Sequence, residues 1–132
     1  MLTTYRGACH CGAVRFEAQL DLTQPTFRCN CTICRRTRFW AAVARPDGFR
    51  LLSGKDELTQ YLFGRKRNEH YFCRRCGVRA FGVGNDTPIG KMYGVNLGCL
   101  ELSDEQLANL SITYVDGLHD RWDAPPAAVS HL

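Results

Sequence analysis

Cysteine dominates the chemistry open to this 132-residue chain, with seven of its eight cysteines in three tight groups. The groups are Cys9-His10-Cys11-Gly12, Cys29-Asn30-Cys31-Thr32-Ile33-Cys34 and Cys73-Arg74-Arg75-Cys76-Gly77, and Cys99 stands alone. A Cys-x-Cys or Cys-x-x-Cys turn aims two thiolates at one point, and two such turns complete a tetrahedral S₄ site. Cys9, Cys11, Cys73 and Cys76 are therefore expected to hold one metal. The glycine after each pair permits the left-handed backbone that a tight turn beside a metal needs. Four thiolates suit zinc or an iron–sulfur centre, and well-separated pairs resembling zinc knuckles favour zinc.

The middle group differs. Cys29, Cys31 and Cys34 supply three thiolates within six residues and leave a fourth coordination position to be filled. Structural zinc sites close with four protein ligands, whereas catalytic ones keep a place for water or substrate. Either Cys99 or a histidine closes this site structurally, or the fourth position belongs to chemistry. Zinc held there would favour deprotonation of an incoming thiol or would activate water. A thiol suits a sulfur-ligated site, but the residues alone do not choose.

The elements that must position these groups are short strands. In Ala13–Leu20, Val14, Phe16, Ala18 and Leu20 alternate with Arg15, Glu17 and Gln19, the period of a half-buried strand. Further strands are expected at Thr26–Cys29, Phe39–Ala44, Phe49–Ser53, Leu58–Phe63, His70–Cys73, Ala80–Val83, Met92–Leu97 and Ser111–Val115. Turn residues separate them, notably Pro46-Asp47-Gly48, Ser53-Gly54, Gly84–Pro88 and Asp116-Gly117. Many short strands punctuated by Gly and Pro imply a sandwich-like or barrel-like β architecture. Ser103-Asp104-Glu105-Gln106 reads as a capping box opening one short helix, with Leu107 and Leu110 toward the core. A second, shorter helical turn is expected near Thr32, and a loose C-terminal tail from Asp123.

The apolar fraction of 45% and charged fraction of 23% are those of an ordinary globular domain. The length suits one domain, expected at 1–122 with a tail at 123–132. A net charge of +4 fits an anionic small ligand at least as well as nucleic acid, whose binders are usually more basic. The opening residues lack the apolar stretch of a secretory signal, and no apolar run is long enough to span a membrane. Clustered cysteines in a reducing, cytoplasmic setting are expected to be metal ligands rather than disulfides.

Together the three groups resemble the glutathione-dependent formaldehyde-activating enzyme family, the GFA or CENP-V domain family. The resemblance rests on Gly7–Phe16, Cys29–Arg36, Phe49–Gly54 and His70–Gly77, with a further family-like stretch at Val95–Leu100. It implies a mainly β, Mss4-like antiparallel fold with zinc knuckles and one short helix. It also implies a structural zinc on Cys9, Cys11, Cys73 and Cys76 and a catalytic zinc on Cys29, Cys31 and Cys34. The implied activity is that of a carbon–sulfur lyase forming S-hydroxymethylglutathione from glutathione and formaldehyde.

Other residues have competing roles. Arg35, Arg36 and Arg38 could pair with the carboxylates of glutathione or lie on a solvated turn. His70 is an acid/base or coordinating group, or a packed strand residue. Cys99 is a core thiol or a reserve ligand. Phe39 and Trp40 belong to the core or to a pocket wall. The leading expectation is a zinc-dependent enzyme acting on a small thiol such as glutathione. Its rivals are a non-catalytic zinc scaffold for protein or nucleic acid, and a redox or metal-buffer protein.

Overall fold

The alternating segment is a buried-face strand, as its pattern dictates. In the computed structural model, which describes residues 1–132, Val14, Phe16, Ala18 and Leu20 are all essentially inaccessible to solvent. The strands are β1 (Thr3–Ala8), β2 (Arg15–Leu20), β3 (Thr26–Cys29), β4 (Trp40–Ala44) and β5 (Phe49–Ser53), then β6 (Leu58–Tyr61) and β7 (Glu69–Cys73). They continue with β8 (Phe81–Gly84), β9 (Met92–Asn96) and β10 (Ile112–Val115); the helices are α1 (Thr32–Thr37) and α2 (Asp104–Ala108).

Two sheets form. The smaller has the order β1-β2-β5, and the larger runs β10-β3-β4-β9-β8-β7-β6. Every pairing is antiparallel except β10 with β3. This is the mainly β, Mss4-like architecture that the sequence implied. All nine expected strands occur with ends shifted by at most two residues. β1 is the addition: only Gly7 of its six residues is buried, so it carries no apolar alternation to read.

Aromatic rings join the sheets. Phe49 of β5 stacks on Tyr93 of β9 at 4.5 Å between centroids and meets Phe81 of β8 at 4.6 Å. Phe16 of β2 stacks on the other side of Phe49 at 5.5 Å. Such pairs add about 0.5–1.5 kcal/mol each beyond the apolar area they bury. Gly7 lies against the Phe16 ring, where a Cβ would overlap Cζ, so only glycine lets β1 pack there.

α2 has the expected capping box. The Ser103 hydroxyl accepts from Gln106 N at 3.1 Å, and the Gln106 side chain accepts from Ser103 N at 2.8 Å. Leu107 and Leu110 pack against the core. The tail departs from expectation. Arg38 donates through Nη1 to the His131 carbonyl at 3.1 Å, and Leu132 is buried, so the segment's end is tied beside α1. No helix is long and apolar enough to cross a membrane.

Candidate functional site

The turn after β1 and the turn after β7 bring four thiols together. Cys9, Cys11, Cys73 and Cys76 place their Sγ atoms within 4.8 Å of one another. The Cys9–Cys11 and Cys11–Cys73 separations are both 3.7 Å. A zinc–sulfur bond of about 2.3 Å implies tetrahedral S–S edges of about 3.8 Å, and a disulfide would need about 2 Å. The donor set thus fits one tetrahedral metal. Gly12 and Gly77 follow the two pairs at φ of 79° and 75°, the left-handed backbone expected of them. Val14 N donates to Cys9 Sγ at 3.3 Å, the kind of bond that stabilises a thiolate ligand.

Cys29, Cys31 and Cys34 form the second group, again with all Sγ atoms within 4.8 Å, and no other Cys, His, Asp or Glu atom joins them. β3 ends on Cys29, Cys31 is the N-cap of α1, and Cys34 lies in its first turn. Cys31 N donates to Cys29 Sγ at 3.4 Å. The three thiols share protons unequally: hydrogen bonds from Cys29 and then Cys34 hold Cys31 down at about 2. The same bonds, first with Cys29, push Cys34 far up.

The parallel pairing of β10 with β3 sets Val115 opposite Cys29 and so delivers the next turn, Asp116-Gly117, to this group. Asn30, buried and flanked in sequence by Cys29 and Cys31, donates through Nδ2 to Asp116 Oδ1 at 2.8 Å and accepts at Oδ1 from Leu118 N at 3.0 Å. The Asn30 amide, with His119 Nδ1 at 2.9 Å, holds the Asp116 carboxyl below its ordinary range. Gly117 packs directly on Cys29, where a Cβ would come within 2.5 Å of Sγ.

Asn30, Thr32, Arg35, Arg36, Leu118 and His131 line a cavity of about 300 Å³ beside the triad. Two of the three candidate arginines thus face a concave surface. Arg38 instead binds the His131 carbonyl.

Neither proposed closing ligand reaches the triad. Cys99 lies on the side of Cys9 and Cys76, and burial raises its thiol to about 11. His70 packs on Phe63 at 5.2 Å, and its Nδ1 lies 2.8 Å from Arg79 Nη2. A guanidinium can only donate, so Nδ1 accepts and the proton of the neutral ring is on Nε2. Burial, then Arg79, lowers His70 to about 4, which keeps it neutral. His10 points outward. Phe39 is buried and Trp40 half-buried, the latter donating through Nε1 to Thr26 Oγ1 at 2.8 Å.

Sequence reasoning did not single out Asp116, Gly117, Leu118, His131 or Arg79 as parts of the site. Asp116-Gly117 carried only a turn signal, and the others carried none, because strand pairing and the docked tail create their proximity.

A family model described as glutathione-dependent formaldehyde-activating enzyme matches residues 4–116. A Halomonas elongata protein provisionally named as such an enzyme is 32% identical over 84 residues, covering 53% of this chain and 50% of that protein. The chain thus matches about half the length of that curated relative. A crystal structure of a Rhodobacter sphaeroides protein is 36% identical with a TM-score of 0.70, covering 82% of this chain and 99% of that one. With the family model spanning both cysteine groups, the chain belongs to the glutathione-dependent formaldehyde-activating enzyme family.

Proposed function

We propose that this chain is a zinc-dependent enzyme acting on a small thiol, glutathione or its adduct, and that it makes or breaks a carbon–sulfur bond beside Cys29, Cys31 and Cys34. The observation that carries this reading is the asymmetry between the groups. One has four convergent thiols; the other has three and no further protein ligand. That difference is the one between closed structural zinc sites and catalytic sites.

Cys9, Cys11, Cys73 and Cys76 would hold the structural ion, and Cys29, Cys31 and Cys34 the catalytic one. Zinc bound at the triad supplies a Lewis acid that favours the thiolate form of a substrate thiol. The chain's own groups do the rest. Arg35 and Arg36 offer guanidinium forks suited to the carboxylates of glutathione. Asn30 clamps the Asp116-Gly117 turn over Cys29, shielding one side of the triad. In the formaldehyde reaction the glutathione sulfur, having lost its proton, bonds to the carbonyl carbon. The C=O π electrons move to oxygen, which takes up a proton to give the hydroxymethyl thioether.

The test is metal content and thiol binding together. Protein purified without chelator is expected to carry about two zinc ions per chain, falling to about one in Cys34→Ser. Glutathione should bind the fully metallated protein, and S-methylglutathione should not compete. Absence of binding by any small thiol to protein with both sites loaded would overturn the enzyme reading and favour a zinc scaffold.

A further inference from the structure

Arg79, just before β8, has an environment that its neutral partners do not account for. Its guanidinium lies over the Phe39 ring, with Cζ 3.9 Å from the centroid. Nη2 meets His70 Nδ1 at 2.8 Å, Nη1 donates to Thr37 Oγ1 at 3.4 Å, and Nε is buried with no partner. An aromatic ring, a neutral imidazole and a hydroxyl fix its position without balancing its charge. Its ion-pair partners are not carboxylates: no Asp or Glu lies within bonding distance. Thr37, which Nη1 meets, ends α1 three positions after Cys34, so the two side chains share one helix face and the guanidinium is held on the side of the helix that carries that thiol. A cation taken partly out of water needs a compensating charge, and the thiolates are the ones at hand.

We propose that Arg79 is the built-in counter-charge of the Cys29/Cys31/Cys34 site and a positioning residue that selects an anionic sulfur as the fourth ligand there. The proposal rests on the reading above that the triad holds a divalent metal and receives a thiol. Three thiolates and a dication leave one net negative charge. An incoming thiolate raises it to two, whereas water or imidazole leaves it unchanged. The guanidinium offsets the added charge, so it favours a thiolate over a neutral donor without touching the rest of the substrate. His70 serves this by accepting at Nδ1 while neutral, which orients the guanidinium and adds no second positive charge.

The experiment uses the full chain loaded with Co²⁺, whose visible spectrum changes when a ligand joins the open site. Glutathione, 2-mercaptoethanol and imidazole are titrated into wild type, Arg79→Met and Arg79→Lys. In Arg79→Met both thiols should bind about ten- to a hundredfold more weakly, the range for removing one nearby charge at an effective dielectric near about 20. Imidazole affinity should change by less than about twofold, and Arg79→Lys should recover most of the thiol affinity. Equal losses for thiols and imidazole would mean that Arg79 only supports the fold, and would overturn the proposal. So would a loss confined to glutathione, which would assign Arg79 to a carboxylate. If wild type binds glutathione and Arg79→Met binds it as tightly, this proposal alone fails. If wild type binds imidazole but no thiol, the thiol reading fails and takes this proposal with it.

Discussion

Gly117 is the position where one methyl group should separate the two metal sites. Its Cβ would stand 2.5 Å from Cys29 Sγ and 2.8 Å from Trp122 Cη2. Relaxed contacts between such atoms need about 3.5–4.0 Å, so something must give by about 1 Å. Trp122 is 45% exposed and can swing away. Cys29 cannot follow easily, because β3 is fixed on one side by β10 and on the other by β4. Overpacking of this kind costs about 1–3 kcal/mol. Ligand distances in a metal site tolerate only about 0.2 Å, so the strain falls on metal binding at the triad. Gly117→Ala should therefore weaken the second zinc by about 5- to 150-fold, the equivalent of that energy. Competition with a chromophoric chelator measures both affinities in one titration. The tighter, four-thiol site should be unchanged. Gly48→Ala is the control, since its Cβ would meet Gln19 Cβ at an ordinary 3.4 Å and all its nearest neighbours belong to Gln19 rather than to a cysteine. Two unchanged zinc affinities in Gly117→Ala would refute the claim that the Asp116-Gly117 turn bears on Cys29.

Three further outcomes follow from the same geometry. Cys76→Ser should lower Tm by more than about 10 °C, and Cys34→Ser by less than about 3 °C, as calorimetry would show; equal losses would contradict the division into structural and reactive sites. His70 is held at about 4 against an ordinary 6.5, so the unfolded chain binds its proton more readily. Its contribution to stability is complete above pH 6.5 and is lost as pH falls toward 4; the drop in Tm between about pH 7 and pH 5 should shrink in His70→Gln, and an unchanged drop would refute it. Phe16→Ala removes a fully buried ring between the sheets and should cost about 3–5 kcal/mol by urea unfolding; a cost below about 1 kcal/mol would disprove its central place in the core.

What the sequence disclosed was local. The alternation through Val14, Phe16, Ala18 and Leu20 fixes a strand face without knowledge of its neighbours. The Ser103–Gln106 capping box and the glycines after Cys11 and Cys76 likewise declare their geometry within a few residues. The triad could be read because its ligands lie within one turn and the start of one helix. Arg79 and Gly117 could not. Gly117 meets Cys29 only because β10 returns parallel to β3, and Arg79 reaches Thr37, at the end of the helix that carries Cys34, only because the segment before β8 lies beside α1. Cys99 illustrates the same limit from the other side. The sequence offered it as a core thiol or as a ligand closing the triad, and the structure sets it near Cys9 and Cys76 instead.

Sequence separation also explains why two cysteine groups of like chemistry should serve different ends. Cys11 and Cys73 are 62 positions apart, so a metal joining them closes a long loop and ties the smaller sheet to the larger. Cys29 and Cys34 close only a few residues. On loop-closure entropy alone the first link restricts the unfolded chain by about 2 kcal/mol more than the second. A metal joining both turns would take up all four thiolates of the first group and leave no position there for substrate. The second contributes little to holding the chain together, since β3 and α1 are already placed by β10, β4 and the Asn30 clamp. A site relieved of structural duty can keep a coordination position for a ligand that comes and goes. On the proposed reading, stability and reactivity divide between the two groups according to where their cysteines fall along the chain.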